Sequence, residues 1–292
     1  MNNRMPAFTL ACGPHALEMN KRTLIMGIVN ITPDSFSDGG HFYSSEKAID
    51  HGLQLVDEGA DILDIGGEST RPYSEPVDET EEQDRVLPVI QELAKRISVP
   101  ISIDTTKASV ARNAVAAGAT IINDISALRM DPQMAVTAAQ CNVPLILMHM
   151  QGTPKNMQVK PVYDDLIPDI KDFLSDAMQK AITAGVDPTH LIIDPGIGFG
   201  KTIAHNLEIL NHTDRFASLG KPILIGPSRK MFIRQLVKSA KAKDIDPLSA
   251  EVARGTQAAV AAAAMGGAQI VRVHDVARTR ATLAVIDAIR SA

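Results

Sequence analysis

A chain of 292 residues is long enough for two average domains or for one large α/β barrel. Its 45% hydrophobic and 22% charged residues exclude a disordered, collagen-like or coiled-coil protein. The net charge of −5 and the scarcity of aromatic rings, with 7 Phe, 3 Tyr and no Trp, argue against a nucleic-acid partner, which needs a basic groove and stacking platforms.

Short runs of branched aliphatic residues alternate along the chain with longer amphipathic segments. Residues 7–20 precede the first run, and we expect them to form a hairpin that closes the bottom of the fold. The runs lie at 23–30, 61–66, 100–104, 120–124, 144–149, 191–194, 222–226 and 269–274. Their continuous Ile, Leu and Val content is typical of parallel strands that are covered on both faces.

The segments between these runs have helical periodicity. Predicted helices span 45–58, a stretch that begins at 80, 107–117, 131–140, 163–184, 204–217, 248–265 and 276–289. In the second helix, Thr80 and Gln83 form a candidate capping box, and Pro88 is expected to kink or delay the helix. Eight strand-then-helix units predict a single (β/α)8 TIM barrel domain over residues 1–292, with the N-terminal β-hairpin as an extension. A doubly wound open sheet is the alternative.

The two cysteines, Cys12 and Cys141, match neither a disulfide framework nor a CxxC motif, so we expect a cytoplasmic protein. The longest uncharged stretches, 132–148 and 255–271, are shorter than a membrane span and contain Gln with Pro or Gly. The sequence therefore predicts no membrane segment.

Polar residues close most of the predicted strands. They are Asn30, residues 68–71, Asp104, Asn123, His149, Asp194, residues 228–230, Arg272 and His274. Each of them alone also fits a turn former or a helix cap. Because the active site of a TIM barrel lies at the C-terminal ends of its strands, we expect them to share one rim.

These polar residues form two chemical sets. The first set, which suits the N–H and carbonyl groups of a flat heterocycle, contains Asp104, Asn123, Asp194 and Lys230. The second set, which suits a phosphate or carboxylate, contains Arg71, Arg272 and His274. The sequence thus predicts a ligand with a heteroaromatic end and an anionic end.

Several familiar motifs are excluded. A P-loop fails at 194–202 because Pro195 stands where the motif needs glycine. Ser228 lacks the second glycine of a nucleophile elbow and is interpreted as a ligand contact. The eight histidines show no metal-ligand spacing, so no zinc site is predicted.

Two long segments resemble signatures of the dihydropteroate synthase family, MGIVNITPDSFSDGG at 26–40 and DIGGESTRP at 64–72. Shorter blocks are similar to the family's in the same order: SIDT at 102–105, INDI at 122–125, DPGIGFGK at 194–201, SRK at 228–230 and RVHD at 272–275. The resemblance covers essentially the whole chain from Thr23 onward.

The resemblance implies a cytoplasmic, homodimeric transferase of folate biosynthesis and a sulfonamide target. It would condense 6-hydroxymethyl-7,8-dihydropterin diphosphate with 4-aminobenzoate to give 7,8-dihydropteroate and diphosphate. Diphosphate loss to a pterin cation would precede attack by the amine, and Mg²⁺ is the implied cofactor. Loops 32–43 and 66–75 are expected to order as lids over diphosphate and Mg²⁺.

The resemblance also implies the site residues. The catalytic residues would be Asp104, Lys230, Arg272 and His274. The pterin would be bound by Asp104, Asn123, Met148, Asp194, Phe199 and Lys230. The 4-aminobenzoate would be framed by Phe36, Thr70, Pro72 and Ser228. Diphosphate would be bound by Asn30, Thr70, Arg71, Arg272 and His274, with Asn30 also a ligand of Mg²⁺.

Other interpretations remain open. A pterin-binding methyltransferase domain that acts on methyltetrahydrofolate has the same fold, but the segments 69–72 and 228–230 speak against it. A catalytically silent pterin-binding paralogue need not retain Asn30, Thr70, Arg71 and Lys230, which are all present. A barrel enzyme for another phosphorylated ligand is the remaining alternative.

Overall fold

The computed structural model describes residues 7–19, 21–31, 41–69 and 76–292, with the backbone alone at 41–44. In these ranges the strands are β1 Phe8–Cys12, β2 His15–Met19, β3 Leu24–Asn30, β4 Ile62–Gly66, β5 Ile101–Asp104, β6 Ile121–Asp124, β7 Leu145–Met148, β8 Leu191–Asp194, β9 Leu224–Ile225 and β10 Ile270–Val273. The α-helices are α1 His41–Asp57, α2 Glu79–Arg96, α3 Ala108–Ala117, α4 Met134–Cys141, α5 Leu166–Thr183, α6 Ile203–Asn211, α7 Met231–Val237, α8 Ala250–Met265 and α9 Val276–Ser291.

Strands β3 to β10 form one parallel sheet in the order β8-β7-β6-β5-β4-β3-β10-β9. The two outer strands of this order also meet, because Ile193 forms a parallel bridge with Ile223 and its N–H donates to the Pro222 carbonyl at 3.0 Å. The sheet is therefore a closed barrel surrounded by helices. This confirms the predicted (β/α)8 fold and rules out the open sheet.

The lower part of the barrel interior is apolar. Side chains two residues apart on a strand point to the same face. The inward-facing residues of the lower part are Leu24, Met26, Ile62, Ile121, Ile146, Ile192, Leu224 and Ile270, which form one buried cluster. Two positions after Ile62, Ile121, Ile192 and Ile270 come Asp64, Asn123, Asp194 and Arg272. The interior thus changes from apolar to polar within one step along four strands.

The N-terminal hairpin predicted over residues 7–20 is present as the antiparallel pair β1 and β2. Its residues Leu10, Leu17 and Met19 are buried in the same cluster as the first residues of the barrel strands. The hairpin therefore covers the N-terminal end of the barrel, where the exposed strand starts would otherwise meet water.

Some helix boundaries were predicted wrongly. In α2 the N-cap is Asp78, whose carboxylate accepts from the Glu81 N–H at 2.8 Å, so the proposed Thr80 capping box is absent. Helix α2 runs through Pro88 from Glu79 to Arg96, so this proline does not delay its start. Helix α4 begins at Met134 rather than at 131, because Asp131 instead accepts from the Ala108 and Gln133 N–H groups.

Near the end of the barrel, two further elements differ from expectation. The predicted helix over 204–217 ends at Asn211 and continues as a 3-10 turn over Thr213–Leu219. The short helix α7, directly after Lys230, was not predicted. Its seven residues are too few to give a clear amphipathic period. None of the helices in the described ranges combines the length and the apolar character that a bilayer crossing requires.

Candidate active site

Strand register brings predicted site residues to one level of the barrel. Asn30 is paired in register with Gly66, Gly66 with Asp104, and Asp104 with Asn123. A methyl group on Gly66 would lie 3.5 Å from Asp104 Cβ and 3.7 Å from Asn30 Oδ1. The missing side chain of Gly66 therefore leaves an opening that both Asn30 and Asp104 border.

Arg272 connects both of the chemical sets that the sequence predicted as separate. Its Nε donates to Asp64 Oδ2 at 2.5 Å, and one of its terminal nitrogens donates to Asp104 Oδ2 at 2.7 Å. The Asn123 amide donates to the same Asp64 oxygen at 3.1 Å. Paired, partly buried charges of this kind hold one another in fixed positions. Arg272 is thus a structural centre of the site, with further N–H groups left to meet an anion.

Asp64 is a site residue that the sequence analysis missed as a candidate. It lies within β4 rather than at its end, and its side chain is fully buried. The signal that identifies it is a lone carboxylate inside an otherwise aliphatic strand, two residues before Gly66 and hence on the same face. A buried carboxylate needs a partner, and Arg272 provides it.

The carboxylate of Asp104 has capacity for a ligand. Its second oxygen, Oδ1, is buried and has no hydrogen-bond partner among the described residues. Burial raises the pKa of Asp104 to about 7, although the Arg272 guanidinium opposes this change. A buried acceptor without a donor is costly unless a bound molecule satisfies it. Asp104 is therefore suited to accept an N–H from a ligand.

Asp194 is the last residue of β8 and directly precedes the segment 195–200. Its Oδ1 accepts from the Gly196 N–H at 2.6 Å, and its backbone carbonyl accepts from the His149 N–H at 2.8 Å. Burial raises the pKa of Asp194 to about 6, against the effect of that hydrogen bond and of the nearby Lys230 and Lys201. Asp194 is thus a second buried carboxylate on the same rim.

Lys230 and Phe199 form a contact between the loops that follow β8 and β9. The Lys230 ammonium lies 3.9 Å from the centre of the Phe199 ring. Burial lowers the pKa of Lys230 to about 8, and the neighbouring Arg272 lowers it further. Phe199 also belongs to a small buried apolar cluster with Met148, Ile125, Met150 and Met157. A flat ring bound near these residues would meet an apolar wall and a cation.

Ser228 and His274 are also brought together. Ser228 Oγ lies 2.9 Å from His274 Nδ1 and accepts from the His274 backbone N–H at 3.3 Å. A hydroxyl and an imidazole in this arrangement can orient a ligand at the rim of the barrel.

Glu68, another residue predicted at the rim, is bound to the protein itself. Lys107 forms ion pairs with both Glu68 and Glu82, and its nitrogen lies 2.5 Å from a Glu82 oxygen. Burial raises the pKa of Glu82, against the opposing effect of Lys107. Lys107 thereby ties the segment after β4 to helix α2 and to the start of α3.

Four of the predicted residues lie outside the described ranges: Phe36, Thr70, Arg71 and Pro72. Most of the two predicted lids lies outside them as well. The remaining candidates are all placed by the structure at the C-terminal ends of barrel strands or in the segments that follow.

The described residues fit a magnesium ion only if the substrate and water supply most of its ligands. Within the described ranges, no group of three or more His, Cys, Asp or Glu side chains is placed to hold a metal. The Asn30 side-chain oxygen, beside the opening at Gly66, offers a single neutral ligand. Magnesium commonly takes one or two protein ligands and completes its shell with substrate phosphates and water. This set therefore fits an ion that arrives with a phosphorylated substrate.

Comparison with known proteins agrees with this geometry. The model of the family described as "Pterin binding enzyme" matches residues 26–274. The chain is 48% identical over 275 residues to the dihydropteroate synthase of Bacillus subtilis (strain 168), covering 94% of this chain and 91% of that protein.

Two solved structures are similar over almost the whole chain. The Yersinia pestis dihydropteroate synthase in a sulfonamide drug complex has a TM-score of 0.90 and 43% identity, with 98% of this chain and 100% of that chain covered. The Xanthomonas albilineans dihydropteroate synthase with 4-aminobenzoic acid has a TM-score of 0.89 and 44% identity, at the same coverage. With its barrel, its rim of carboxylates and cations and these relatives, the chain belongs to the pterin-binding enzyme family and, within it, to the dihydropteroate synthases.

Proposed function

We propose that the rim of the barrel joins 6-hydroxymethyl-7,8-dihydropterin diphosphate to 4-aminobenzoate and releases diphosphate. The observation that carries this proposal is a pair of carboxylates, the buried Asp194 and Asp104 with its buried Oδ1, beside the cations Lys230 and Arg272 at one end of the barrel. The Xanthomonas albilineans relative, whose structure contains 4-aminobenzoic acid, supports the second substrate.

The pterin ring would occupy the apolar wall and the acceptors around it. Asp104, Asn123 and Asp194 would bind its N–H groups and its amide edge, while Lys230 would meet a carbonyl or ring nitrogen. Met148 and Phe199 would cover its face. This arrangement uses the free Oδ1 of Asp104, which has no donor among the described residues.

The reaction breaks the bond between the pterin methylene carbon and the diphosphate oxygen. The electron pair leaves with diphosphate, and positive charge develops on the pterin. Asn30, Arg272 and His274, with Thr70 and Arg71 by resemblance, would stabilise the departing anion, which is often the largest catalytic contribution. Asn30 would hold Mg²⁺, which would supply further neutralisation of that charge when bound.

The second substrate then forms the new bond. The amine nitrogen of 4-aminobenzoate attacks the methylene carbon, and the proton that this nitrogen then loses passes to water or to the released diphosphate. Ser228, oriented by His274, would contact this substrate, together with Phe36, Thr70 and Pro72 by resemblance. A neutral aromatic amine needs no strong base for this attack, and Asp104 and Asp194 would favour the cationic intermediate through their negative charge.

Two broader proposals accompany this function. The paucity of cysteine supports a cytoplasmic location, and the resemblance supports a homodimer. The substrates are small molecules, and the net charge of −5 favours neither nucleic acid nor an anionic membrane surface as a partner.

The proposal is tested by incubating the purified chain with the pterin diphosphate, Mg²⁺ and 4-aminobenzoate, and by measuring both diphosphate and 7,8-dihydropteroate. We expect equal amounts of the two products, and no dihydropteroate when 4-aminobenzoate is omitted. Binding of the pterin without turnover would indicate a silent paralogue. Methyl transfer from methyltetrahydrofolate would indicate the pterin-binding methyltransferase that has the same fold.

A further inference from the structure

Lys201 is a buried cation that the proposed reaction does not use. It directly follows the segment 195–200 and is 2% exposed, and within the described residues it takes part in no ion pair. Its ammonium lies 2.9 Å from His149 Nδ1 and donates to the Phe199 carbonyl at 3.0 Å. A longer contact of 3.5 Å reaches the His149 carbonyl. Three acceptors thus surround the three hydrogens of one ammonium group.

His149 is set up as an acceptor for this cation. Burial lowers the pKa of His149 far below its usual value, and the charges of Lys201 and Arg129 lower it further. The imidazole is therefore neutral, and in the tautomer that carries its hydrogen on Nε2, Nδ1 accepts from the Lys201 ammonium. The ring also packs edge-on against the Phe173 ring, with 4.7 Å between the two ring centroids. The acceptor is held in place by its own neighbours.

These bonds fasten the end of β8 to the end of β7. The His149 N–H donates to the Asp194 carbonyl, and the Phe199 N–H donates to the Gly196 carbonyl at 3.1 Å. Gly196 has φ +74 and passes so close to β7 that a methyl group there would lie 1.9 Å from the His149 carbonyl oxygen. Lys201 completes this network, since it is the only side chain in it that bonds both to His149 and to the segment 195–200 in the described structure.

We infer that Lys201 is a positioning residue that holds Asp194 and the Phe199 ring in place for the pterin, and that its charge keeps the Asp194 carboxylate ionised. The inference rests on the proposed function, because it concerns the pterin subsite of the same rim. Lys201 does not contact the reacting atoms, so its effect passes through the segment it anchors.

The electrostatic part of the inference follows from the groups that face Asp194. They are the Gly196 N–H on its own segment, Lys201 after that segment, Lys230 after β9 and Arg272 on β10. Each of the three cations lowers the pKa of Asp194, against the larger effect of burial, which raises it to about 6. The Lys201 nitrogen would lie 3.3 Å from a methyl group on Gly196, the residue whose N–H donates to Asp194. Burial lowers the pKa of Lys201 to about 7, against the effect of Asp194, so Lys201 is still charged near pH 6, where Asp194 titrates. Loss of Lys201 removes one of three favourable charges, so Asp194 would take up a proton at a higher pH.

The test uses Lys201→Met, which keeps the length of the side chain and removes the charge. Lys180→Met, at an exposed lysine on α5, is the matched control for loss of a positive charge. Affinity is measured from the fluorescence of 6-hydroxymethylpterin, which lacks diphosphate and so separates the ring subsite from the anion subsite. KM values are measured for the pterin diphosphate and for 4-aminobenzoate.

We expect Lys201→Met to weaken pterin binding about tenfold, as loss of a hydrogen bond from a charged donor does. KM for the pterin diphosphate should rise by a similar factor, and KM for 4-aminobenzoate should change less than about twofold. The pH below which pterin affinity falls should move upward relative to the wild type. Lys180→Met should leave all of these values unchanged.

The inference is overturned if Lys201→Met binds the pterin as the wild type does, or if both KM values rise together. Should Lys201→Met fail to fold by circular dichroism, Lys201→Arg retains the cation and should keep the wild-type pH dependence even where affinity drops. A shifted pH dependence in Lys201→Arg would equally refute the electrostatic role. Absence of dihydropteroate with the wild type would refute the proposed function, whereas wild-type turnover with an unaffected Lys201→Met refutes only the role of Lys201.

Discussion

At the scale of single residues, the site is a set of buried charges that neutralise one another only in part. Arg272 pairs with Asp64 and Asp104, while Asp194 has no ion pair among the described residues. The buried, unpaired carboxylate of Asp194 destabilises the ligand-free protein, and a ligand with N–H groups removes this cost. Binding and stability therefore place opposite demands on the same carboxylates.

This conflict predicts opposite pH dependences for stability and binding. Burial raises the pKa of Asp194 to about 6, so between pH 4 and 6 the folded state holds a proton that the unfolded state has lost. The contribution of Asp194 to the free energy of unfolding therefore falls as pH rises through this window, by at most about 1.4 kcal/mol per pH unit. Pterin affinity should rise over the same window, because the ionised carboxylate is the better acceptor.

Urea unfolding of the wild type, Asp194→Asn and Asp176→Asn at several pH values checks this expectation. Asp194→Asn should lose the decline that belongs to Asp194, and Asp176→Asn, at an exposed position of α5, should retain it. Parallel pH curves for Asp194→Asn and the wild type would contradict the assignment.

At the scale of elements, the site depends on how closely the segment after β8 crosses β7. The left-handed conformation of Gly196 allows this crossing, and the carbonyl of His149 occupies the space that a side chain would need. The register of neighbouring strands then fixes the distance between Asp194 and Met148, which are paired across β7 and β8.

Gly196→Ala tests this close approach. Its φ of +74 and the 1.9 Å separation from the His149 oxygen predict both backbone strain and a clash. Gly220→Ala is the matched control, since Gly220 has φ +67 but no atom within 4 Å of the added methyl. Gly220→Ala should cost about 1 kcal/mol of unfolding free energy, the penalty of the left-handed conformation alone.

Gly196→Ala should cost more than this control in urea unfolding and should also weaken pterin binding, because the whole segment must shift. Equal losses in the two variants would show that the segment has room to move away from β7.

At the scale of the whole molecule, stability and chemistry lie at opposite ends of the barrel. The hairpin of β1 and β2 packs on the N-terminal end, and the polar rim lies at the C-terminal end. This separation follows the general division of TIM barrels into a stabilising face and a catalytic face.

Leu10→Ala should therefore reduce stability without changing the reaction. Leu10 is 1% exposed, and its truncation should lower the free energy of unfolding by about 2–5 kcal/mol. Thr9→Ala, on the exposed face of the same strand, should have little effect. At a temperature where both variants are folded, KM for each substrate should equal the wild-type value, and a raised KM in Leu10→Ala would show that the two ends are coupled.

The sequence was sufficient to predict the barrel, because continuous aliphatic strands and intervening amphipathic helices follow local rules. It also pointed to Asp104, Asn123 and Asp194, since each is the last or the second-last residue of a strand. It did not identify Asp64 or Lys201, whose importance depends on partners 208 and 52 residues away. It also misplaced the starts of α2 and α4. Asp78 caps α2 through the Glu81 N–H, and Asp131, three residues before α4, accepts from the Ala108 N–H, a contact that no local pattern specifies.

The apolar lower interior of the barrel has a consequence for the charges above it. Ile62, Ile121, Ile192 and Ile270 lie directly beneath Asp64, Asn123, Asp194 and Arg272, and the hairpin seals the end below them. Water can thus screen these charges from one side only, the open mouth. A substrate that fills the mouth removes this screening in a single step, and the electric field of the cluster becomes strongest when the bond to diphosphate has to break.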